Sequence, residues 1–209
     1  MQPIEYFYSA HSSYTWLGSA RFREIVQAAG RNVVHKPVDL NRVLQGAGST
    51  SFAERSEQFR NYFFFRELQR WSEYRDSPIF GRPQYHHHDP RLANCMIIAA
   101  QNQQLDPQPL GHAFLRAHWC HDADLADEQT LTRVATEAGF NGSVLLSEAQ
   151  HTSVKQEFSR NTEEAIERSV FGAPTYFVDG DMFYGQDRLE LVERALQQPF
   201  RHAWSQVND

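Results

Sequence analysis

At 209 residues and 24.2 kDa the chain has room for one compact domain, or for one domain carrying a large insertion, and not for two independent cores. Its 41% apolar and 13% aromatic content excludes a disordered chain, and no run of residues has the length and apolarity of a membrane span. The net charge of −6 argues against a nucleic-acid binder, although Lys36 and Lys155 are the only lysines among 20 basic residues and the rest are Arg, whose planar fork suits carboxylates.

The start, Met1-Gln2-Pro3-Ile4-Glu5-Tyr6, has neither a basic nor an apolar leader, which predicts a cytoplasmic location. Ile4 to Tyr8 is a short aromatic run that reads as a strand. The small polar residues Ser9 to Ser13 then open a helix, with Ser12 or Ser13 as N-cap, Trp16, Leu17, Ala20, Ile25 and Val26 as its buried stripe, and Gly30 as its stop. Residues 32–38 read as a second strand ended by Asp39-Leu40-Asn41-Arg42, which completes a βαβ unit. From about Ser51 to Arg168 the pattern is helical, with helices expected at Phe52–Tyr74, Pro90–Gln103, Pro107–Cys120, Asp127–Ala138 and Val144–Glu167. Within the first of these, Phe63-Phe64-Phe65 with Leu68 and Trp71 form an aromatic face expected to be core. The chain ends on a hairpin, Thr175 to Val178 and Asp181 to Tyr184 around Asp179-Gly180, followed by a helix for which Asp187 is the expected N-cap.

A βαβ start and a ββα end around a helical block make an α/β, thioredoxin-like domain over 1–50 and 169–209, with an all-helical insertion over 51–168. In that fold the reactive group sits where the first strand meets its helix, because the helix N-terminus is electropositive and exposes unpaired backbone N–H groups. A disulfide oxidoreductase has Cys-X-X-Cys there; this chain has Ser12-Ser13-Tyr14-Thr15. Its two cysteines, Cys95 and Cys120, both fall in the helical block, which opposes dithiol chemistry at this turn.

Three strings carry a resemblance over essentially the whole chain: Phe7-Tyr8 with Ser12-Ser13-Tyr14-Thr15-Trp16-Leu17-Gly18; Leu68-Gln69-Arg70-Trp71; and Val170 to Thr175 with Met182 to Leu189. They resemble the 2-hydroxychromene-2-carboxylate isomerases, which belong with the kappa-class glutathione transferases in the DsbA-like branch of the thioredoxin superfamily. The resemblance implies glutathione as cofactor, with Ser12 as the catalytic residue that meets its sulfur. It makes Ala173-Pro174 a cis-proline site offering main chain to the cysteinyl part. It also makes Tyr184, Gly185, Gln186 and Asp187, with Arg188, the turn that holds the γ-glutamyl end. Taken alone, Ser12 and Asp187 are equally well read as helix caps, and Pro174 as a trans proline opening a strand.

On the substrate side the resemblance implies an aromatic carboxylate, bound near Leu44, Glu54, Arg55 and Tyr85. Leu44 stands where a relative has a lysine suited to that carboxylate, and Gly48-Ser49 stands for Gly-Asn; Arg55 or Arg42 can supply the positive charge. Gly46 to Thr50 lacks the Lys-Ser/Thr end of a phosphate loop and reads as a flexible pocket loop. Phe7, Tyr14, Trp16 and Tyr85 are candidate aromatic walls. His11 can act as a general base beside the thiol, or can face the interior or solvent. His86-His87-His88 reads as a solvated loop rather than a metal site, since three consecutive side chains converge poorly and no metal spacing accompanies them. The expected activity is glutathione-dependent cis-trans isomerisation by reversible thiolate addition, in a homodimer. A kappa-like transferase and a noncatalytic glutathione-binding domain are the alternatives.

Overall fold

A computed structural model of the chain describes residues 2–50 and 54–201. The expected starts of the helical block at Ser51 and of its first helix at Phe52, and the stretch beyond residue 201, lie outside them. No helix among the described residues is long and apolar enough to cross a membrane.

β1 (Ile4–Tyr8) and β2 (Val33–Pro37) pair in parallel across α1 (Ser13–Ala29), while β3 (Thr175–Val178) runs antiparallel to β1 and to β4 (Asp181–Tyr184), giving the sheet order β2-β1-β3-β4. The period of two along the strands builds two cores. Ile4, Tyr6, Tyr8, Tyr176 and Val178 face α1 and α10 (Leu189–Gln197), and Phe7 and Phe177 face the opposite side with Val38, Val43 and Ala165. The first of these cores continues without a break into the helical block through Ala93, Met96, Ile97, Phe114 and Leu131. A third cluster, Trp16, Leu17, Leu68, Leu115 and Trp119, ties the first helix to that block.

Gly30 ends α1 at φ 61, the left-handed geometry that glycine adopts without a Cβ penalty. Ala20 and Val26, expected in the buried stripe, are only half-buried. Three other expectations are corrected. Asp39 to Arg42 does not simply end a strand: Asp39 caps α2 (Leu40–Gly46), which buries only Val43 and so is too short to show a periodic stripe. The helix expected over Val144–Glu167 is two helices, α8 (Gly142–Ala149) and α9 (Thr152–Glu167), parted where His151 turns extended at ψ 143 with no Gly or Pro to signal it. Asp187 is not an N-cap but lies inside a 3₁₀ turn, Gln186–Arg188, and its carboxylate pairs with Arg188 at 2.6 Å.

The remaining helices are α3 (Glu57–Asn61), α4 (Glu67–Tyr74), α5 (Arg91–Asn102), α6 (Gln108–His121) and α7 (Glu128–Glu137). α3 and α4 are joined through a π-helical turn, Tyr62–Arg66. This interruption rotates the aromatic run out of the core: Leu68 is buried and Trp71 half-buried, but Phe63 is 39% exposed and Tyr62 48%.

His35, 2% exposed, is bonded through Nδ1 to Tyr8 Oη at 2.9 Å, and burial holds its pKa down at about 3. The unfolded imidazole titrates near 6.5, so below that pH the unfolded chain gains a proton that the folded one refuses. The stability His35 contributes is therefore complete above pH 6.5 and is lost as the pH falls, by about 2 kcal/mol between pH 6.5 and 5. Urea midpoints at the two pH values should fall less in His35→Gln than in the parent; equal losses would remove His35 as the cause.

Candidate functional site

Ser12 stands between β1 and α1 and is 6% exposed. Its Oγ accepts from Thr15 N at 3.2 Å, which makes it the cap of α1, and donates to Ala173 O at a long 3.4 Å. The first turn of α1 has no acidic side chain, so the positive end of the helix stays uncompensated beside that hydroxyl. The cap and the site are thus the same atom: one lone pair holds the helix, and the proton, weakly held by Ala173, is available to an anion.

Ala173-Pro174 is cis. Pro174 O accepts from Gly185 N at 2.8 Å, and Gly185 sits at φ 103, where a side chain would also meet Asp187. That bond fastens the start of β3 to the turn after β4, so that Ser12, Ala173, Pro174 and the Gly185–Arg188 turn come together at one end of the sheet. Gly18 closes the arrangement from α1: a Cβ there would lie 2.7 Å from Cβ of Gln186. Gln186 is 1% exposed, with its side-chain oxygen accepting from Arg75 Nε at 3.2 Å and its main-chain oxygen from Arg75 Nη2 at 3.2 Å, while Arg75 also pairs with Glu190 at 2.9 Å. Among the described residues, two buried polar atoms of these elements have no hydrogen-bond partner, Gln186 Nε2 and Thr15 Oγ1. Thr15 and Gly18, three residues apart, share the face of α1 that looks at Gln186.

The mouth of the site is formed by other elements. A Cβ on Gly172 would lie 3.1 Å from Tyr184 Oη and 3.4 Å from Leu44 Cδ2, which puts α2 against the turn that precedes the cis bond. Tyr184 is 44% exposed, its ring 5.8 Å from that of Phe171. Burial raises the Tyr184 phenol, and the nearby Arg55 charge pulls it back. Arg55 donates to Thr50 O at 3.2 Å and to Ser49 Oγ, which ties it to the end of the Gly46–Thr50 stretch; Glu54 beside it is exposed. Across the mouth, Tyr14 Oη donates to Phe63 O at 2.9 Å, which fastens the π turn to the start of α1.

Of the expected aromatic walls, only Tyr14 is placed as one. Phe7, fully buried, and Trp16, 5% exposed, are core. Tyr85 lies elsewhere, packed on His88 at 5.4 Å and lining a cleft of about 610 Å³ with His112 and Arg116 between α6 and α7. The structure does not bring it to Leu44 and Arg55. His86 and His87 are exposed, as expected of a solvated loop, and His86 Nδ1 is also bonded to His118 Nε2 at 3.0 Å with its ring 5.2 Å from that of His11. His11 is bonded to Ser9 Oγ at 2.9 Å, and burial lowers its pKa to about 3, so it stays neutral within this stack. The thiols of Cys95 and Cys120 are both raised by burial, Cys95 to about 11, and neither adjoins Ser12. Sequence reasoning missed Arg75 and expected in the core Phe63, which is 39% exposed. Arg75 is 111 residues from its partner Gln186, with nothing local to mark it.

Residues 3–197 match the family model of the DSBA-like thioredoxin domain. The chain is 23% identical over 193 residues to a 2-hydroxychromene-2-carboxylate isomerase of Sphingobium xenophagum, covering 92% of this chain and 97% of that protein. It is 20% identical over 209 residues to glutathione S-transferase kappa 1 of Caenorhabditis elegans, covering 94% and 91%. Among solved structures, a 2-hydroxychromene-2-carboxylate isomerase superposes with a TM-score of 0.81 at 22% identity, covering 94% of this chain and 95% of that one.

Proposed function

The chain belongs to the DSBA-like thioredoxin domain family, and from that premise we propose that it is a glutathione-dependent isomerase of 2-hydroxychromene-2-carboxylate or a related hydroxybenzylidene pyruvate. The observation that carries this reading is Ser12: the position that holds a reactive thiol in disulfide oxidoreductases keeps its helix dipole and its cis-proline neighbour but has a hydroxyl in place of sulfur. The sulfur must then come from outside, and the relatives named as an isomerase and as a glutathione transferase point the same way.

The residues present fit glutathione. Among the described residues, the buried donors Gln186 Nε2 and Thr15 Oγ1 are left without protein acceptors, an expensive arrangement unless a polar partner completes it. Ser12 Oγ and the first-turn amides of α1 would hold the sulfur. Ala173 main chain would pair with the cysteinyl unit, and Tyr184, Gly185, Gln186, Asp187 and Arg188 would hold the γ-glutamyl end. When bound, glutathione supplies a thiolate able to add reversibly to a conjugated carbon. The chain's part is to keep that sulfur ionised, to hold a planar substrate above it, and to leave the substrate carboxylate facing Arg55. A homodimeric cytoplasmic protein completes the reading.

Mixing the protein with glutathione and 2-hydroxychromene-2-carboxylate and following the ultraviolet spectrum tests it. Conversion that requires glutathione but leaves its concentration unchanged is the expected result. Conversion with stoichiometric loss of glutathione makes the protein a kappa-like transferase, and glutathione binding without conversion sinks the isomerase.

A further inference from the structure

α5 buries eight consecutive residues, Ala93 to Ala100, and Asn94 alone among them carries an amide. At 1% exposure that amide is costly unless both its ends are bonded. Both are, and to the same four-residue turn: Oδ1 accepts from Ala10 N at 2.9 Å, and Nδ2 donates to Ser9 Oγ at 3.2 Å. The turn is closed by the bond from Ser12 N to Ser9 O at 3.0 Å, and it ends on the candidate reactive hydroxyl. A second side chain of the helical block, Trp119 of α6, donates from Nε1 to His11 O at 3.1 Å. The reactive turn is thus gripped from the helical block, at shorter range than the 3.4 Å bond by which Ser12 Oγ reaches Ala173 O.

Asn94 also decides where a proton sits. Because Ala10 N can only donate, the Asn94 amide has one orientation, and Ser9 Oγ must accept from Nδ2. The Ser9 hydroxyl then has one proton to give, and among the described residues its one acceptor is His11 Nδ1, at 2.9 Å. Burial keeps His11 uncharged, so its own proton is on Nε2. The rings on its other side are uncharged too. His118 Nδ1 meets Ala123 O, an acceptor, at 3.0 Å and so carries its proton there. Its bare Nε2 takes the Nδ1 proton of His86 at 3.0 Å, and burial lowers the pKa of both rings. Trp119, packed on His86 and His118, brings no charge. The protons of this stack are therefore fixed from two ends, by Asn94 and by Ala123 O.

We propose that Asn94 is a positioning residue for the reaction: it holds the Ser9–Ser12 turn so that Ser12 Oγ meets the sulfur, and through Ser9 it fixes His11, the residue ahead of Ser12, as an Nε2–H imidazole. The role of Ser12 is that of the proposed function, on which this assignment rests; the hold on the turn and the His11 tautomer do not depend on it. The helical block then has a task in the chemistry, since α5 and α6 set the geometry of a hydroxyl that belongs to the thioredoxin-like part.

Turnover of the full chain at saturating glutathione tests the positioning through a double-mutant cycle. Asn94→Ala is expected to lower it about fivefold in the parent and by less than about twofold in Ser12→Ala, because the effect travels through the Ser12 hydroxyl. An equal factor in both backgrounds means a structural role and overturns the proposal. Asn94→Asp guards against a folding defect, being of the same size and still able to accept from Ala10 N. Accepting two hydrogen bonds in the first turn of α5, the carboxylate stays ionised, and it takes the Ser9 proton away from His11. NMR of the free protein labelled at histidine nitrogen, with His11 assigned by its absence in His11→Asn, should show Nδ1 bare in the parent and protonated in Asn94→Asp. A protonated Nδ1 in the parent, or no change in the variant, overturns the assignment. Should the parent neither bind nor use glutathione while the His11 signals behave as expected, the proposed function fails and takes the positioning role with it, and the hold of Asn94 on the turn stands.

Discussion

Ser12→Ala should lower glutathione-dependent turnover about 10²- to 10³-fold while the protein remains folded. The hydroxyl carries two duties of unequal weight. As the cap of α1 it accepts from Thr15 N at 3.2 Å, and its loss there costs about 1 kcal/mol, which leaves a protein of ordinary stability folded. As a donor it has only the long 3.4 Å bond to Ala173 O to surrender, so the proton can be moved to a sulfur anion with little lost. A thiol with a free pKa of about 8.5 is mostly protonated at neutral pH, and the hydroxyl and the helix end act together to shift it. Without the hydroxyl the helix end remains, so affinity for glutathione should fall only a fewfold. The apparent thiol pKa, read from thiolate absorbance near 240 nm in the complex, should move upward. Unchanged turnover at saturating glutathione would remove Ser12 from the chemistry.

The parts of this molecule that were legible in the sequence are those fixed by local pattern. The alternation in Ile4 to Tyr8 places three aromatic or aliphatic side chains on one face and Phe7 on the other, and the sheet does the same. Ser12 is readable as a cap because a cap is a matter of one residue and its next turn. Gly30 and the Asp179-Gly180 turn, with φ values of 61, 50 and 90, are likewise local demands met by local residues. The failures have a common cause, which is that composition does not reveal what lies opposite. Phe63 carries the hydrophobicity of a core residue, yet it is 39% exposed on the π turn, whose register no local pattern announces. Tyr85 shows the reverse: family position puts it at the substrate, whereas its neighbours His88 and the α6–α7 cleft do not include Leu44 or Arg55. Gly18 sits in a helix, where glycine is unfavourable, and its reason, the 2.7 Å approach to Gln186, comes from 168 residues away.

Arg75→Met should be the most damaging substitution outside the reactive turn. Arg75 leaves α4, and its side chain is 8% exposed. Its guanidinium bonds to both oxygens of Gln186 and to Glu190, and so fixes the 3₁₀ turn from below. Glu190 is 53% exposed, and water can replace its partner, so the ion pair itself accounts for little of the effect. The side-chain oxygen of Gln186, 1% exposed, cannot be rehydrated without opening the turn. The main-chain oxygen keeps the Leu189 N–H, but leaving the buried side-chain oxygen unpaired costs about 1–3 kcal/mol, which urea unfolding would read directly. The same bond decides which way the Gln186 amide faces: with its oxygen held by Arg75, the amide nitrogen is left free and buried, which is the donor a γ-glutamyl group would meet. Once released, the amide can flip, and glutathione affinity should fall at least about tenfold, the equivalent of one good hydrogen bond. Arg75→Lys retains the charge but cannot span both oxygens, so it should recover part of the stability and little of the affinity. A lysine variant with full glutathione affinity would show that the charge matters and the fork does not, and a methionine variant as stable as the parent would mean that Gln186 is held by other bonds.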